Sequence, residues 1–118
     1  MENVLTIDNK YLDRDDNGYL YHNGSLFTGK SVWYLETGQL VTEAYYENGI
    51  QDGYMRGWYE NGQLKSITLY KEGCVVGNYK RWYENGQLKL EAEVGKWKKE
   101  WDQNGNLILD YKNEKFYK

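Results

Sequence analysis

Proline is missing from this chain of 118 residues, and cysteine and histidine occur once each, as Cys74 and His22. A lone cysteine forms no internal disulfide, which excludes a cystine-stapled secreted scaffold and leads us to expect a reducing, cytoplasmic setting. One histidine leaves little room for nucleophilic catalysis. His22 sits beside Asn23-Gly24 at a predicted turn, and Cys74 has no histidine near it in sequence to lower its pKa. Neither a zinc-ligand cluster nor a glycine-rich phosphate loop ahead of a helix is present in the sequence, so no catalytic residue, metal or cofactor is expected. Basic excess is absent as well: 15 Lys and Arg against 18 Asp and Glu give a net charge of -3. Phosphate recognition draws on clustered cations, so a nucleic-acid partner is not expected. The small cluster Lys96, Lys98 and Lys99 is too weak a polarity to imply a membrane surface. Apolar runs stop after a few residues, far short of the ~20 that span a bilayer, and residues 1–12 lack the basic-then-apolar pattern of a leader. Leu, Ile, Val and Phe together make about a fifth of the chain, a level that borders on disorder.

The residues that are plentiful point the other way, toward order. Thirteen tyrosines, five tryptophans and 13 glycines stand out, and each large ring can bury roughly 150–250 Å². Asn-Gly or a close equivalent recurs at Asn23-Gly24, Thr37-Gly38, Asn48-Gly49, Asn61-Gly62, Glu72-Gly73, Asn85-Gly86 and Asn104-Gly105. Gly38, Gly62 and Gly86 are spaced by 24 residues, and Gly49 and Gly73 interleave at the same period. Asn-Gly between aromatic or β-branched runs signals a hairpin, because a type I′ turn needs positive φ at both central residues. The chain is therefore expected to be all-β, an elongated antiparallel meander of consecutive hairpins. Gly29, Gly53 and Gly77 each lie five residues ahead of an aromatic, where a glycine would open the second strand of a unit or form a bulge.

Period-two alternation sorts these strands into two faces. Tyr34, Trp58 and Trp82 are expected one above another, preceded on their face by Val32, Arg56 and Lys80. Leu35, Tyr59 and Tyr83 form the neighbouring file, preceded by Trp33, Gly57 and Arg81, and before those by Ser31, Met55 and Tyr79. These rings either hold a thin sheet together by stacking or form an exposed groove for a partner. The candidate partner-binding residues are Tyr34, Trp58 and Trp82, with Tyr59 and Tyr83 as the alternative file, and Trp101 from a degraded last copy.

The ends depart from the repeat. Residues 1–18 read as a capping or edge-strand region around Val4-Leu5-Thr6-Ile7, residues 19–111 as the repeat sheet opening on a weak first copy at Tyr19–Leu26, and residues 112–118 as a tail. Trp97 or Trp101 is expected to close the apolar far end, as terminal repeats cap a stack. Open sheet edges with no proline to blunt them leave a homodimer through those edges open. Asp13 to Gly18 also matches the first half of a calcium loop, but position twelve is Gly24 where a bidentate glutamate is needed. The competing reading is an acidic hairpin turn.

Trp58-Tyr-Glu-Asn-Gly-Gln-Leu64 and Trp82-Tyr-Glu-Asn-Gly-Gln-Leu88, with looser copies at Tyr34–Leu40 and Trp101–Leu107, resemble the bacterial variant of the MORN repeat and the YwqK-type antitoxin family built from it. The resemblance covers about residues 19 to 111. It implies side-by-side hairpins in a twisted sheet and a non-enzymatic binding role: an immunity protein neutralising a cognate toxin, or alternatively a scaffold contacting phospholipid or a larger assembly.

Overall fold

The computed structural model describes residues 4–115. The outer residues of the expected capping region and tail, 1–3 and 116–118, lie outside the described residues. Twelve strands follow one another: β1 (Thr6–Asp8), β2 (Asp13–Arg14), β3 (Leu20–His22), β4 (Ser25–Leu26), β5 (Gly29–Tyr34), β6 (Leu40–Glu47), β7 (Ile50–Trp58), β8 (Leu64–Lys71), β9 (Cys74–Trp82), β10 (Leu88–Glu93), β11 (Trp97–Trp101) and β12 (Leu107–Lys112). A single 3-10 turn, Asn9–Tyr11, interrupts them. Strands β5 to β12 form the expected antiparallel meander, and β1 adds to its β5 edge in parallel, giving nine strands in one sheet. No described helix is long and apolar enough to cross a membrane.

Two turn geometries alternate along the meander. At Asn48-Gly49 both central residues have positive φ, 50° and 81°, the type I′ geometry expected of Asn-Gly. Asn61-Gly62 differs: only Gly62 is positive, at 88°. Here the Gly62 N–H donates to the Tyr59 carbonyl at 3.0 Å and the Tyr59 N–H to the Gln63 carbonyl at 2.9 Å, so a type I turn is followed by a left-handed glycine. The Asn61 carboxamide oxygen accepts from the Gln63 N–H at 3.0 Å and stiffens this longer loop. The same dipeptide thus serves two turns, because loop length decides which backbone twist reconnects the strands.

A β-bulge recurs beside each longer turn. Trp33 opposes Thr42 and Tyr34 opposes Leu40, which leaves Val41 unpaired; Lys65, Lys89 and Ile108 are left out in the same way. Bulges add local bend and twist. Gly53 and Gly77 mark a second irregularity, inside β7 and β9 and not at their starts, where the pairing jumps between Ala44 and Tyr46 and between Ile67 and Leu69.

The weak first copy does not extend the long sheet. Strands β2, β3 and β4 make a separate three-stranded sheet. Only six residues separate Gly18 from Gly24, against 11 between Gly38 and Gly49, so its strands are too short to reach across. This small sheet docks on the β6–β7 turn instead: the Leu20 N–H donates to the Gly49 carbonyl at 3.0 Å, and the Gly49 N–H to the Phe27 carbonyl at 2.8 Å. A Cβ on Gly49 would meet Leu26 Cδ2 at 2.7 Å and the Leu20 carbonyl at 3.0 Å. Phe27 and Leu20, exposed to only 1% and 2%, fill this junction. The Phe27 ring lies 6.2 Å from those of both His22 and Tyr46. Elsewhere the buried apolar residues are Val32, Ala44 and Ala92, as befits a single layer with water on both sides.

The far end is not closed by tryptophan. Both Trp97 and Trp101 belong to β11, and β12 pairs outside it. Leu107, Ile108, Leu109 and Tyr111 on this last strand are all exposed, Ile108 to 63%. The shortened last unit still has enough chain for one more strand, and it therefore ends on an apolar edge.

Candidate functional site

Tyr34, Trp58, Trp82 and Trp101 end β5, β7, β9 and β11, each opposite a leucine: Leu40, Leu64, Leu88 and Leu107. Equivalent positions are two strands apart, about 10 Å at the usual spacing, beyond the roughly 4.5–7 Å at which rings pair. The expected stack of rings is therefore not formed. Instead, aromatic and leucine side chains alternate along the file. Trp58, Trp82 and Trp101 are half-buried and Tyr34 is exposed.

Tyr59 and Tyr83 stand in the longer turns, with their hydroxyls committed to the next unit. Tyr59 Oη donates to the Trp82 carbonyl at 2.7 Å, and Tyr83 Oη to the Trp101 carbonyl at 2.9 Å. Asn61 and Asn85 side-chain amides reach the Glu84 and Gln103 carbonyls, each at 3.1 Å. The unpaired bulge lysines, Lys65 and Lys89, lie over the Tyr59 and Tyr83 rings at 5.4 and 5.3 Å. The turns after Trp58 and Trp82 are thus each bolted to the next through two side chains, whereas Leu35, which has no hydroxyl, takes the position after Tyr34.

At the two end turns an aspartate takes the tyrosine position. Asp102 Oδ1 accepts from the Asn104 and Asn106 N–H groups at 2.9 Å, and Asp15 Oδ1 accepts from Asn17 and Tyr19 at the same distance. The Asp102 carboxyl is held below its usual range by the Asn106 N–H first and the Asn106 amide next. Asp15 is lowered mainly by the Tyr19 N–H, with the Tyr21 hydroxyl adding to it. That same bond raises Tyr21 above its ordinary value. Arg14 opposes Leu20 as Trp101 opposes Leu107, which makes Arg14–Leu20 a copy of the repeat turn that sequence reasoning missed. Its signal was present as Asp-x-Asn-Gly-x-Leu, the segment that also resembled half a calcium loop. Asp15 spends its lone pairs on its own turn, and among the described residues no group of three or more His, Cys, Asp or Glu side chains converges on a metal position. His22 packs its ring on Phe27, while Glu36, Glu60 and Glu84 are turn residues at the water-facing rim.

The two faces differ in charge. On one, Glu43 bridges Lys30 at 3.6 Å and Arg56 at 3.2 Å, and Lys80 pairs with Glu91 at 3.4 Å. On the other, small side chains, hydroxyls and rings line a trough. One cavity of about 190 Å³ is lined by Ser31, Trp33, Thr42, Ala44, Tyr46 and Met55, with Asn9 and Arg14 overhanging it. A second of about 290 Å³ is lined by Thr68, Tyr70, Val75, Tyr79, Arg81 and Val94. Trp33, Arg81 and Tyr79 were legible as one face from alternation. Thr42, Tyr46, Thr68 and Tyr70 come from the returning strands, whose register depends on the bulges.

The model of the MORN repeat variant matches residues 27–49, 51–72 and 75–94, more than half of the chain. The chain belongs to the MORN repeat variant family. No curated protein and no solved structure matches it. MORN repeats are repeat modules that bind proteins or membranes and are not typically enzymatic. In this MORN protein the three matched units supply β5 to β10, the strands that carry both cavities described above.

Proposed function

We propose that this MORN-repeat chain is a cytoplasmic, non-enzymatic protein-binding module of the antitoxin or immunity kind, neutralising a cognate toxin through an aromatic sheet face. One observation carries the binding part: large rings on an uncovered single-layer sheet, with Trp33 exposed to 57% on the trough face and Tyr34 to 44% on the other. Contiguous exposed apolar surface marks interaction sites, and aromatic anchors give much contact area for little lost rotamer entropy. The file of Tyr34, Trp58, Trp82 and Trp101 offers one such surface. Tyr59 and Tyr83 contribute ring faces only, since their hydroxyls are engaged. The toxin part rests on the heptapeptide resemblance alone. The test is co-expression with the product of a neighbouring gene that arrests growth, followed by affinity capture. We expect a complex and growth rescue, both lost in Trp33→Ala/Tyr34→Ala. Neither complex nor rescue in the parent protein would remove the antitoxin reading.

A further inference from the structure

The trough has a one-sided charge inventory. Among the described residues of β5 to β10, register and alternation place a single ionised side chain on its floor, Arg81, between Ser66 and Leu90. Arg81 is exposed and, among the described residues, forms no ion pair. Carboxylates on neighbouring elements are engaged elsewhere: Glu91 with Lys80, Glu93 with Lys96, and Glu100 with Lys98. Asp52 accepts from the Glu72 N–H at 3.2 Å. At the other end Arg14 is tied to the Gly18 carbonyl and to Tyr46 Oη, and Glu72 lines the cavity of about 390 Å³ beneath it. Arg81 therefore stands on this face without a carboxylate partner among the described residues, over the cavity formed by Thr68, Tyr70, Val75, Tyr79 and Val94.

We infer that the trough takes an extended acidic polypeptide segment, with a carboxylate paired to the Arg81 guanidinium and apolar side chains laid against Tyr70, Tyr79 and Val75. This rests on the reading of the chain as a protein-binding module. A guanidinium matches a carboxylate in a two-pronged geometry that an ammonium does not offer. Peptide is favoured over phosphate polymers and anionic lipid surfaces because those ligands are held by several cations at once, whereas the floor from β5 to β10 carries one, the adjoining Lys98 is paired with Glu100, and the chain bears -3 overall. The toxin would thus present a negative segment to this face.

The experiment uses a short fluorescein-labelled synthetic peptide of repeating Glu-Glu-Val-Val, which presents both residue types on each face of an extended segment, with Gln-Gln-Val-Val and Lys-Lys-Val-Val versions, titrated with the full chain and followed by anisotropy. The Glu peptide should bind at least about fivefold more tightly than the Gln peptide, and the Lys peptide more weakly than either. Arg81→Gln should abolish that preference and Arg81→Lys restore part of it, with unchanged circular dichroism and urea midpoint. Equal affinity for the Glu and Gln peptides, or a preference that survives Arg81→Gln, overturns the inference. So does Arg81-dependent binding of single-stranded RNA or phosphatidylserine vesicles where the Glu peptide fails. A captured protein partner indifferent to Arg81→Gln sinks this inference and leaves the protein-binding reading standing. Arg81-dependent peptide binding without any captured toxin upholds this inference and removes only the antitoxin reading.

Discussion

Changing Tyr59 and Tyr83 to phenylalanine, singly and together, tests how the units hold one another. Phenylalanine keeps the ring that packs under Lys65 or Lys89 and deletes only the hydroxyl that reaches the next unit. A neutral hydrogen bond contributes about 0.5–1.5 kcal/mol net. These sites are half-buried, so water partly replaces the lost donor, and each single change should cost about 0.5–1 kcal/mol. The hydroxyls serve different carbonyls 19 residues apart, Trp82 and Trp101, so the double variant should lose about 1–2 kcal/mol additively. Unfolding entropy near 2.1 cal/mol/K per residue gives a chain of 118 residues about 0.25 kcal/mol/K, which converts the double loss to roughly 4–8 °C in Tm. Urea and thermal unfolding read by the five tryptophans measure it directly. A double variant within ~0.3 kcal/mol of the parent at unchanged m-value would show that the units are not coupled through these hydroxyls.

Gly49→Ala should cost about 1–3 kcal/mol, since an alanine there is both strained at φ 81° and pressed against Leu26 and the Leu20 carbonyl; a urea midpoint equal to the parent's would refute the docking of the small sheet. Phe27→Ala should cost about 3–5 kcal/mol by emptying that junction, and hydrogen exchange should speed up first in β2 to β4 if the junction is what holds them. Glu72, a non-glycine at φ 51°, should be improved by Glu72→Asn, the residue at the equivalent turn, by about 0.5–1 kcal/mol; no rise in Tm would sink the strain argument. Asp15 and Asp102 have folded-state values below the ordinary 3.8. The stability they add is therefore present above that value and lost as pH falls through the lowered ones. Asp15→Asn/Asp102→Asn should flatten the acid limb of a stability–pH curve, and an unchanged slope would contradict the assigned turn bonds.

The meander was legible because strand identity here is written in short-range chemistry: glycine turns at fixed spacing and rings between them. Failures cluster where one residue more or less decides the outcome. The bulges at Val41, Lys65, Lys89 and Ile108 leave no composition mark, since a valine, two lysines and an isoleucine occupy the same place, yet they set which residues of the returning strands face the trough. The N-terminal turn was readable as an acidic hairpin but not as a copy of the repeat, because aspartate replaces tyrosine and its strands are cut short. Trp97 and Trp101 looked terminal because they are large, whereas pairing capacity, supplied by Leu107–Lys112, decides where a sheet stops. Among the candidate residues, hydroxyl engagement of Tyr59 and Tyr83 depended on an interval between turns that no single unit reveals.

The recurring bulge also has an evolutionary reading. Because a unit of 24 residues such as the one built on Trp58 contains its own bend, its own turns and its own bolt to the next unit, duplicating it inserts two strands, about 10 Å of width, without asking its neighbours to adapt. The breadth of segment that such a protein can embrace is then an integer, altered by recombination in whole steps, while point substitutions on the floor retune what is embraced.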